Sequence, residues 1–257
     1  MPGTSVKKNQ SIAKAFKIIE LMSDLRRQVR LQELSEYLRI PPSTVLRYLS
    51  SLLDLGYISQ EKDTGRYFLT LKIANIGSKV KAYFPYREVL KPYLSWISTE
   101  LDEASSLCVE EDMNVIYIET KEGPSLMLQA LQRIGRIAPM YNTGTGKNLL
   151  LNYSREEINQ YFSERKFVQF TENTITTTEE LLKELEKVRT QGYAFDNEEC
   201  EIGVCCIAGP VRDFSGKIVA SLSVSMPTQR IQLKRDRAIA TIQKYCSEAS
   251  RVLGWRG

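Results

Sequence analysis

The sequence predicts an α+β chain in two parts, a winged helix-turn-helix over residues 1–70 and a mixed α/β unit over residues 86–257, joined by a connector helix at 71–85. Three observations predict it. The stretch from Leu31 to Arg66 reads as two short amphipathic helices set apart by a Pro-Pro step and followed by a charged hairpin. Positive charge gathers on the same segment: residues 1–80 hold thirteen Lys and Arg against seven Asp and Glu, a balance of +6, whereas the remainder stands at −2. Finally, 257 residues exceed what a winged helix needs. The excess is a second unit of roughly 160 to 170 residues, enough to bury its own core.

Taken in order, Met1 to Gln10 is a polar arm carrying Lys7 and Lys8. Ser11 can cap a helix that places Ile12, Phe16, Ile19 and Met22 on one face, and Arg26, Arg27 and Arg30 follow in a loop that is either a solvated basic turn or a phosphate contact. The next helix turns Leu34, Tyr37 and Leu38 to one side, and its successor turns Val45, Leu49, Leu52 and Leu53. Between them Pro41 and Pro42 break the helix, and Ser43 is placed to cap the restart. The outer face of that second helix carries Ser43, Thr44, Arg47, Ser50 and Ser51, with no acid before Asp54. Such a face can enter a major groove, where Arg pairs with two guanine acceptors and hydroxyls take either partner.

Gly56 stops this helix, and Tyr57 to Ser59 begin a strand. Lys62 to Gly65 turn it and Arg66 to Leu69 return it, which makes the wing. Lys62 and Arg66 then stand at or beside its tip, suited to backbone phosphates and not to reading bases. The plain alternative is a small helical core with a solvated hairpin; the charge concentrated on this segment favours nucleic acid.

Leu71 to Tyr83 spaces Ile73, Ile76 and Val80 helically before Phe84 and Pro85 interrupt it. The second unit opens on a helix bearing Val89, Leu90, Tyr93, Leu94, Ile97 and Leu101, with Pro92 in its first turn or at a kink. Strands follow at Ser106–Glu110, Val115–Glu119 and Leu126–Leu131, as antiparallel neighbours. Two capping boxes, Ser154 with Glu157 and Thr177 with Glu180, start helices running to about Glu164 and Gln191. Alternation returns at Val204–Val211 and Ile218–Met226, and a last amphipathic helix spans Thr228 to Val252.

Composition excludes several classes. With 42% apolar and 26% charged residues the chain reads as a soluble protein, and no apolar run reaches a membrane-spanning length. Lys14, Lys17 and Glu20 interrupt the one candidate signal segment, so the expected compartment is the cytoplasm. Five cysteines, two of them adjacent at Cys205 and Cys206, suit reduced thiols better than a disulfide framework. There is no His, which removes Ser-His and Cys-His nucleophile pairs and His-based metal sites. The run Gly144-Thr145-Gly146-Lys147 suggests a phosphate-binding loop, but that motif needs Gly where Tyr141 stands and Ser or Thr where Asn148 stands. Cys108, Cys200, Cys205 and Cys206 could supply four thiolates, yet no Cys-x-x-Cys pair exists and Cys packs readily as a small apolar residue. No cofactor is expected.

Two motifs carry a resemblance. The run LRIPPSTVLRYLSSLLDLGYI from Leu38 and the run GYAFDNEECEIGVCCIAGPVRD from Gly192 are similar to signatures of the IclR family of bacterial transcription regulators, and the likeness extends over essentially the whole chain. It implies a C-terminal domain resembling GAF and profilin-like folds that binds a small effector, often an organic acid. Carried over, the family's pocket falls on Gly144, Thr145 and Gly146, on Asp196, on Cys206, and on Ser223 and Ser225. The residues make chemical sense there. Gly144 and Gly146 would let backbone amides approach an anion, most usefully if a helix begins near Lys147, and Ser223 and Ser225 point to one strand face. Met127 and Ala130 would add apolar lining; small residues that merely make room for packing are the alternative. The chain departs from the pattern at Arg39, where Gly is usual and a left-handed conformation is expected, and at Pro42, Leu46 and Arg212.

The expected function is a homodimeric regulator, or a pair of such dimers, that binds a double-stranded DNA operator and a small-molecule effector, with no membrane partner and no catalysis. Its rivals are a small-molecule enzyme or a redox or metal sensor with an accessory DNA module, and a scaffold that binds nucleic acid without sequence preference.

Overall fold

The computed structural model describes residues 10–81, 86–124, 133–163, 165 and 167–257. The chain divides into two compact units between Phe84 and Pro85. The expected strand at Leu126–Leu131, with Met127 and Ala130 on it, lies outside the described residues.

In the first unit, α1 (Gln10–Leu25), α2 (Leu31–Leu38) and α3 (Pro42–Asp54) pack over a hairpin of β1 (Ile58–Gln60) and β2 (Tyr67–Leu69). Their core is Ile18, Met22, Val29, Leu34, Val45, Tyr48, Leu49, Leu52, Ile58 and Tyr67. Three expectations are corrected by this packing. The inner face of α1 is set by Ile18 and Met22, so Ile12 and Phe16 are exposed. On α2, Leu34 alone is buried and Tyr37 is turned out. Ser43 is not a cap: Pro41 holds that position and Pro42 is the first helical residue, where its missing N–H costs nothing. Arg39 does end α2 in the left-handed conformation, at φ 52°, with its N–H donating to the Ser35 and Glu36 carbonyls. Helix α4 (Leu71–Lys81) follows directly, and its first turn is tied back when Lys72 Nζ donates to the Leu55 carbonyl at 2.6 Å.

The second unit is a six-stranded antiparallel sheet in the order β5-β4-β3-β8-β7-β6. The strands are β3 (Ala104–Glu111), β4 (Asn114–Lys121), β5 (Ile137–Pro139), β6 (Ala194–Asn197), β7 (Val204–Arg212) and β8 (Ile218–Pro227). One face is covered by α5 (Arg87–Leu101) and α9 (Thr228–Val252). Contact there is close enough that a Cβ on Gly209 would come within 2.7 Å of Cys246 Sγ. The other face carries α6 (Gly144–Leu150), backed by α7 (Arg155–Ser163) and α8 (Thr178–Gln191) through Leu149, Leu150, Ile158, Phe162, Leu181 and Leu185. The predicted capping box at Ser154 forms: Glu157 N donates to Ser154 Oγ at 3.2 Å while Ser154 N donates to Glu157 Oε2 at 2.8 Å. At Thr177 the cap forms without the reciprocal backbone bond: Glu180 N donates to Thr177 Oγ1 at 3.2 Å, and the Thr177 hydroxyl donates to Glu180 Oε2 at 2.8 Å. Pro92 stands inside α5, and Val89 is exposed while Leu90, Tyr93, Leu94, Ile97 and Leu101 are buried.

Candidate effector site and nucleic-acid interface

On α3 the apolar stripe of Val45, Tyr48, Leu49 and Leu52 faces the core, which leaves the opposite stripe outward. Ser43, Arg47, Ser50 and Ser51 are exposed and Thr44 is half-buried at the edge. Arg47 leans along its own helix, its guanidinium carbon 5.5 Å from the Tyr48 ring centroid. At the hairpin, Lys62 is exposed, whereas Arg66 is half-buried and donates from Nη1 to the Gln28 carbonyl at 3.5 Å. The hydroxyl-and-guanidinium stripe and the exposed Lys62 of the wing are therefore both on the surface of one small unit. Leu46 is exposed within the same stripe and offers a methyl-sized contact instead of a polar one.

In the second unit, register brings the small polar residues into one row. Asp196 pairs with Cys206, Cys206 with Ser225 and Ser225 with Ala104 across β6, β7, β8 and β3. One step along, Ala208 pairs with Ser223 and Ser223 with Ser106. These residues lie on the sheet face that α6 covers, and the Cys206 thiol is in hydrogen-bonding reach of Ser223 and Ser225. Asp196, Cys206 and Ser225 line an enclosed cavity of about 20 Å³, together with Tyr117, Arg136, Thr143, Cys200, Glu201 and Val204.

The Gly-Thr-Gly segment opens a helix and packs closely. Helix α6 begins at Gly144, not near Lys147, and Thr143 caps it by accepting from Gly146 N at 3.1 Å. A Cβ on Gly146 would fall 2.3 Å from the Met140 carbonyl oxygen, and one on Gly144 would fall 3.3 Å from Ala208 Cβ. Gly144 lets the helix sit directly on β7, and Gly146 lets it close against the turn that leads into it. Thr145 and Ser223 are buried at this same contact, beside the cavity.

Electrostatics distinguish this face. Lys147 is completely buried; its Nζ donates to Glu199 Oε1 at 2.6 Å and to the Phe195 carbonyl at 2.9 Å, with Glu184 Oε1 at 3.6 Å. Asp196 accepts from Glu199 N at 2.8 Å. Burial, reinforced by the Glu199 charge, pushes the Asp196 carboxyl up to about 7, against the pull of Lys147. Burial also raises Glu199. It raises the Cys206 thiol to about 12, which keeps that sulfur protonated and unreactive near neutral pH. Several buried polar atoms here, among them Asn142 Oδ1 and Nδ2, Ser106 Oγ, Asn148 Oδ1 and Glu199 Oε2, have no protein hydrogen-bond partner among the described residues. Sequence reasoning missed Tyr117, Arg136, Thr143 and Cys200, because only the fold brings their strands and turns to one place. The Lys147–Glu199 pair was equally hidden, although a Lys inside an apolar helical run was a visible signal.

Comparison with known proteins bears on both sites. Residues 82–251 match the bacterial transcriptional regulator IclR C-terminal domain, and residues 11–62 match the IclR helix-turn-helix domain. The chain belongs to the IclR family of bacterial transcriptional regulators. This IclR-family regulator is 34% identical over 246 residues to the HTH-type transcriptional regulator KdgR of Escherichia coli (strain K12), covering 95% of this chain and 93% of KdgR. The crystal structure of the Thermotoga maritima IclR superposes with a TM-score of 0.79 at 30% identity, over 96% of this chain and 99% of that one. An IclR homolog from Microbacterium hydrocarbonoxydans, complexed with 4-hydroxybenzoate, shares the fold at a TM-score of 0.77 and 19% identity, over 95% and 98% of the two chains. The IclR-family chain is thus a DNA-binding regulator of transcription, with its helix-turn-helix in the first unit and the family's regulatory domain in the second. Among the described residues no helix is long and apolar enough to cross a membrane.

Proposed function

We propose that this regulator senses a small organic acid at the Asp196 cavity and that occupancy changes the affinity of its winged helix-turn-helix for an operator. The observation that carries the reading is the convergence of Asp196, Cys206 and Ser225 from three neighbouring strands on one enclosed space, beneath a helix seated by two glycines. Gly144, Thr145 and Gly146 at the start of α6, with Ser223, are proposed to complete the effector site, and Met127 and Ala130 to add its apolar lining. The 4-hydroxybenzoate held by a protein of the same fold agrees with an acid as ligand. On the DNA side, Ser43, Thr44, Arg47 and Ser50 read the major groove, and Lys62 and Arg66 hold phosphates.

The regulator works in the cytoplasm as a homodimer, or as two dimers together, since a two-fold operator matches a two-fold protein. It has no catalytic role. The Cys206 thiol, held protonated by burial, is not poised as a nucleophile, which favours a sensor over an enzyme. Operator titrations of the full-length protein with and without each member of an acid panel test the reading, with the ligand analysed afterwards. An acid recovered unchanged that shifts the operator Kd, with DNA shifting the acid's Kd by the same factor, is the expected result. An acid that binds without altering DNA affinity, or that emerges converted, overturns it.

A further inference from the structure

We propose that the groove between the β7 edge and the end of α9 is a second ligand site, which takes a one-ring aromatic carboxylate with its anion on Arg212 and its ring against Trp255. Its lining shares no residue with that of the Asp196 cavity, and it does not depend on the effector reading.

The groove exists because β6 is short. Ala194, its first residue, pairs with Ala208, so Pro210 and Arg212 run on along β7 beyond the last pairing on that side among the described strands. An open edge invites an added strand, but Pro210 has no N–H to offer, and Arg212 N already donates to Ser250 Oγ at 2.9 Å. The edge therefore suits a small molecule better than a peptide. The opposite wall is α9, with Gln243, Ser247 and Ser250, and the chain that follows it. There Gly254, at φ +91°, ends the helix in a Schellman turn: Gly254 N donates to the Arg251 carbonyl and Trp255 N to the Ser250 carbonyl, both at 3.0 Å. That turn brings Trp255 back to the groove, its ring centroid 5.8 Å from the Arg212 guanidinium carbon. The space between these walls is about 370 Å³, within the range of small-molecule sites.

Charge names the ligand. Arg212 is the one charged group among the described lining residues, and it is half-buried. Its Nη1 donates to the Gly216 carbonyl at 2.8 Å, which leaves the Nε and Nη2 edge of the fork for a bidentate carboxylate. Burial and the nearby Arg189 both oppose the charge on this guanidinium, and among the described residues no acid answers it. Arg189 is itself paired with Glu186 at 2.7 Å, so the groove keeps one net positive charge and favours a monoanion. The Pro210 ring and the Trp255 indole give a flat aromatic body surfaces to lie against. Arg212 is also a position at which the chain departs from the IclR signature, so the cation is a feature of this chain.

Trp96→Phe leaves Trp255 as the one indole of the full-length protein. Its emission, titrated with benzoate, benzamide and acetate, tests the site. Benzoate should give a saturable change, and benzamide and acetate should bind about tenfold more weakly or worse. In the same background Arg212→Gln should weaken benzoate about tenfold or more and erase its advantage over benzamide, with Arg212→Lys between. Ser247→Phe fills the groove from α9 while leaving Arg212 in place, so it should abolish the response without touching the β7–β8 turn. The unfolding midpoint of ligand-free Ser247→Phe should match that of its parent, which separates a blocked site from a damaged fold. No saturable change with benzoate, equal binding of benzoate and benzamide, or a response that survives both substitutions overturns the proposal. Each of these outcomes leaves the sensor reading standing, because that reading is tested at the operator.

Discussion

The two units bury different things. Every buried side chain of the described part of the first unit is apolar or aromatic, and its charged groups all reach solvent. The second unit encloses Glu103, Lys147, Asp196, Glu199 and Asn142, all at 6% exposure or less. A module that reads a duplex needs only a firm core behind an outward chemical stripe. A module that reads a small molecule must keep its chemistry inside, where each polar group left unmatched costs free energy. Glu103 shows how the second unit manages this: both carboxylate oxygens are engaged, by Arg230 at 2.6 and 2.7 Å and by Lys234 at 2.8 Å. Glu199 Oε2 and Asn142 in the α6 layer are not matched in that way, and they lie near the proposed effector site rather than on the far face.

The contrast can be broken most sharply at Lys147. Lys147→Ala leaves Glu199 buried without its cation and should cost about 3–5 kcal/mol in chemical denaturation, whereas Lys147→Met with Glu199→Leu should recover most of that loss. A single variant as stable as wild type would mean that the pair is not isolated from water.

Asp196 gives the next largest effect, and its sign depends on pH. The folded carboxyl titrates near 7 and the unfolded one near 3.8, so between these values the folded protein retains a proton that the unfolded chain has lost. Stability from this group is full below the lower value and is lost as pH rises through the upper one. Asp196→Asn removes the slope, and its advantage over wild type should grow from pH 4 to pH 7 and then level off, on the order of 2–4 kcal/mol. Parallel stability profiles for the two proteins would refute the buried, protonated carboxyl.

The first unit should respond in binding and not in stability. Arg47→Ala should cost about 1–3 kcal/mol of discrimination between operator and random DNA, while Lys62→Ala should weaken both equally and flatten the salt dependence. If both substitutions act alike on the two DNAs, the division of labour between α3 and the wing is wrong. The smallest effect is at a surface cap: Thr177→Ala should lower the stability of the second unit by about 1 kcal/mol without touching ligand or DNA affinity.

The same contrast decides what could be read before the fold was known. Helix spacing, the Pro-Pro step and the hairpin turn are local signals, so α2, α3, the wing, the capping box at Ser154 and the cap at Thr177 were legible, as was the left-handed end at Arg39. The cap was expected at Ser43, two positions late, because Pro41 holds the cap and Pro42 can itself be the first helical residue. Strands β5 and β6 went unseen: at three and four residues, Ile137–Pro139 and Ala194–Asn197 are too short to show alternation. The candidate pocket was legible through resemblance for Asp196, Cys206 and Ser225, which stand on paired strands. Arg136 and Tyr117 were not, because their approach depends on a turn whose partner strand lies earlier in the chain. The close packing of the α6 glycines was not legible, since packing and ligand approach ask for the same missing side chain.

The order of strands in the second unit also bears on how the chain comes off the ribosome. Ala104 pairs with Ser225, so the central seam of the sheet joins its first strand to its last. The winged unit, made of contacts between near neighbours in sequence, can close while synthesis continues, but the sheet must wait for residues beyond Ile218. A nascent chain arrested at Gly216 should accordingly resist protease from α1 to β2 and be digested within the second unit. Until translation ends, the duplex-reading part would stand folded without the part that governs it.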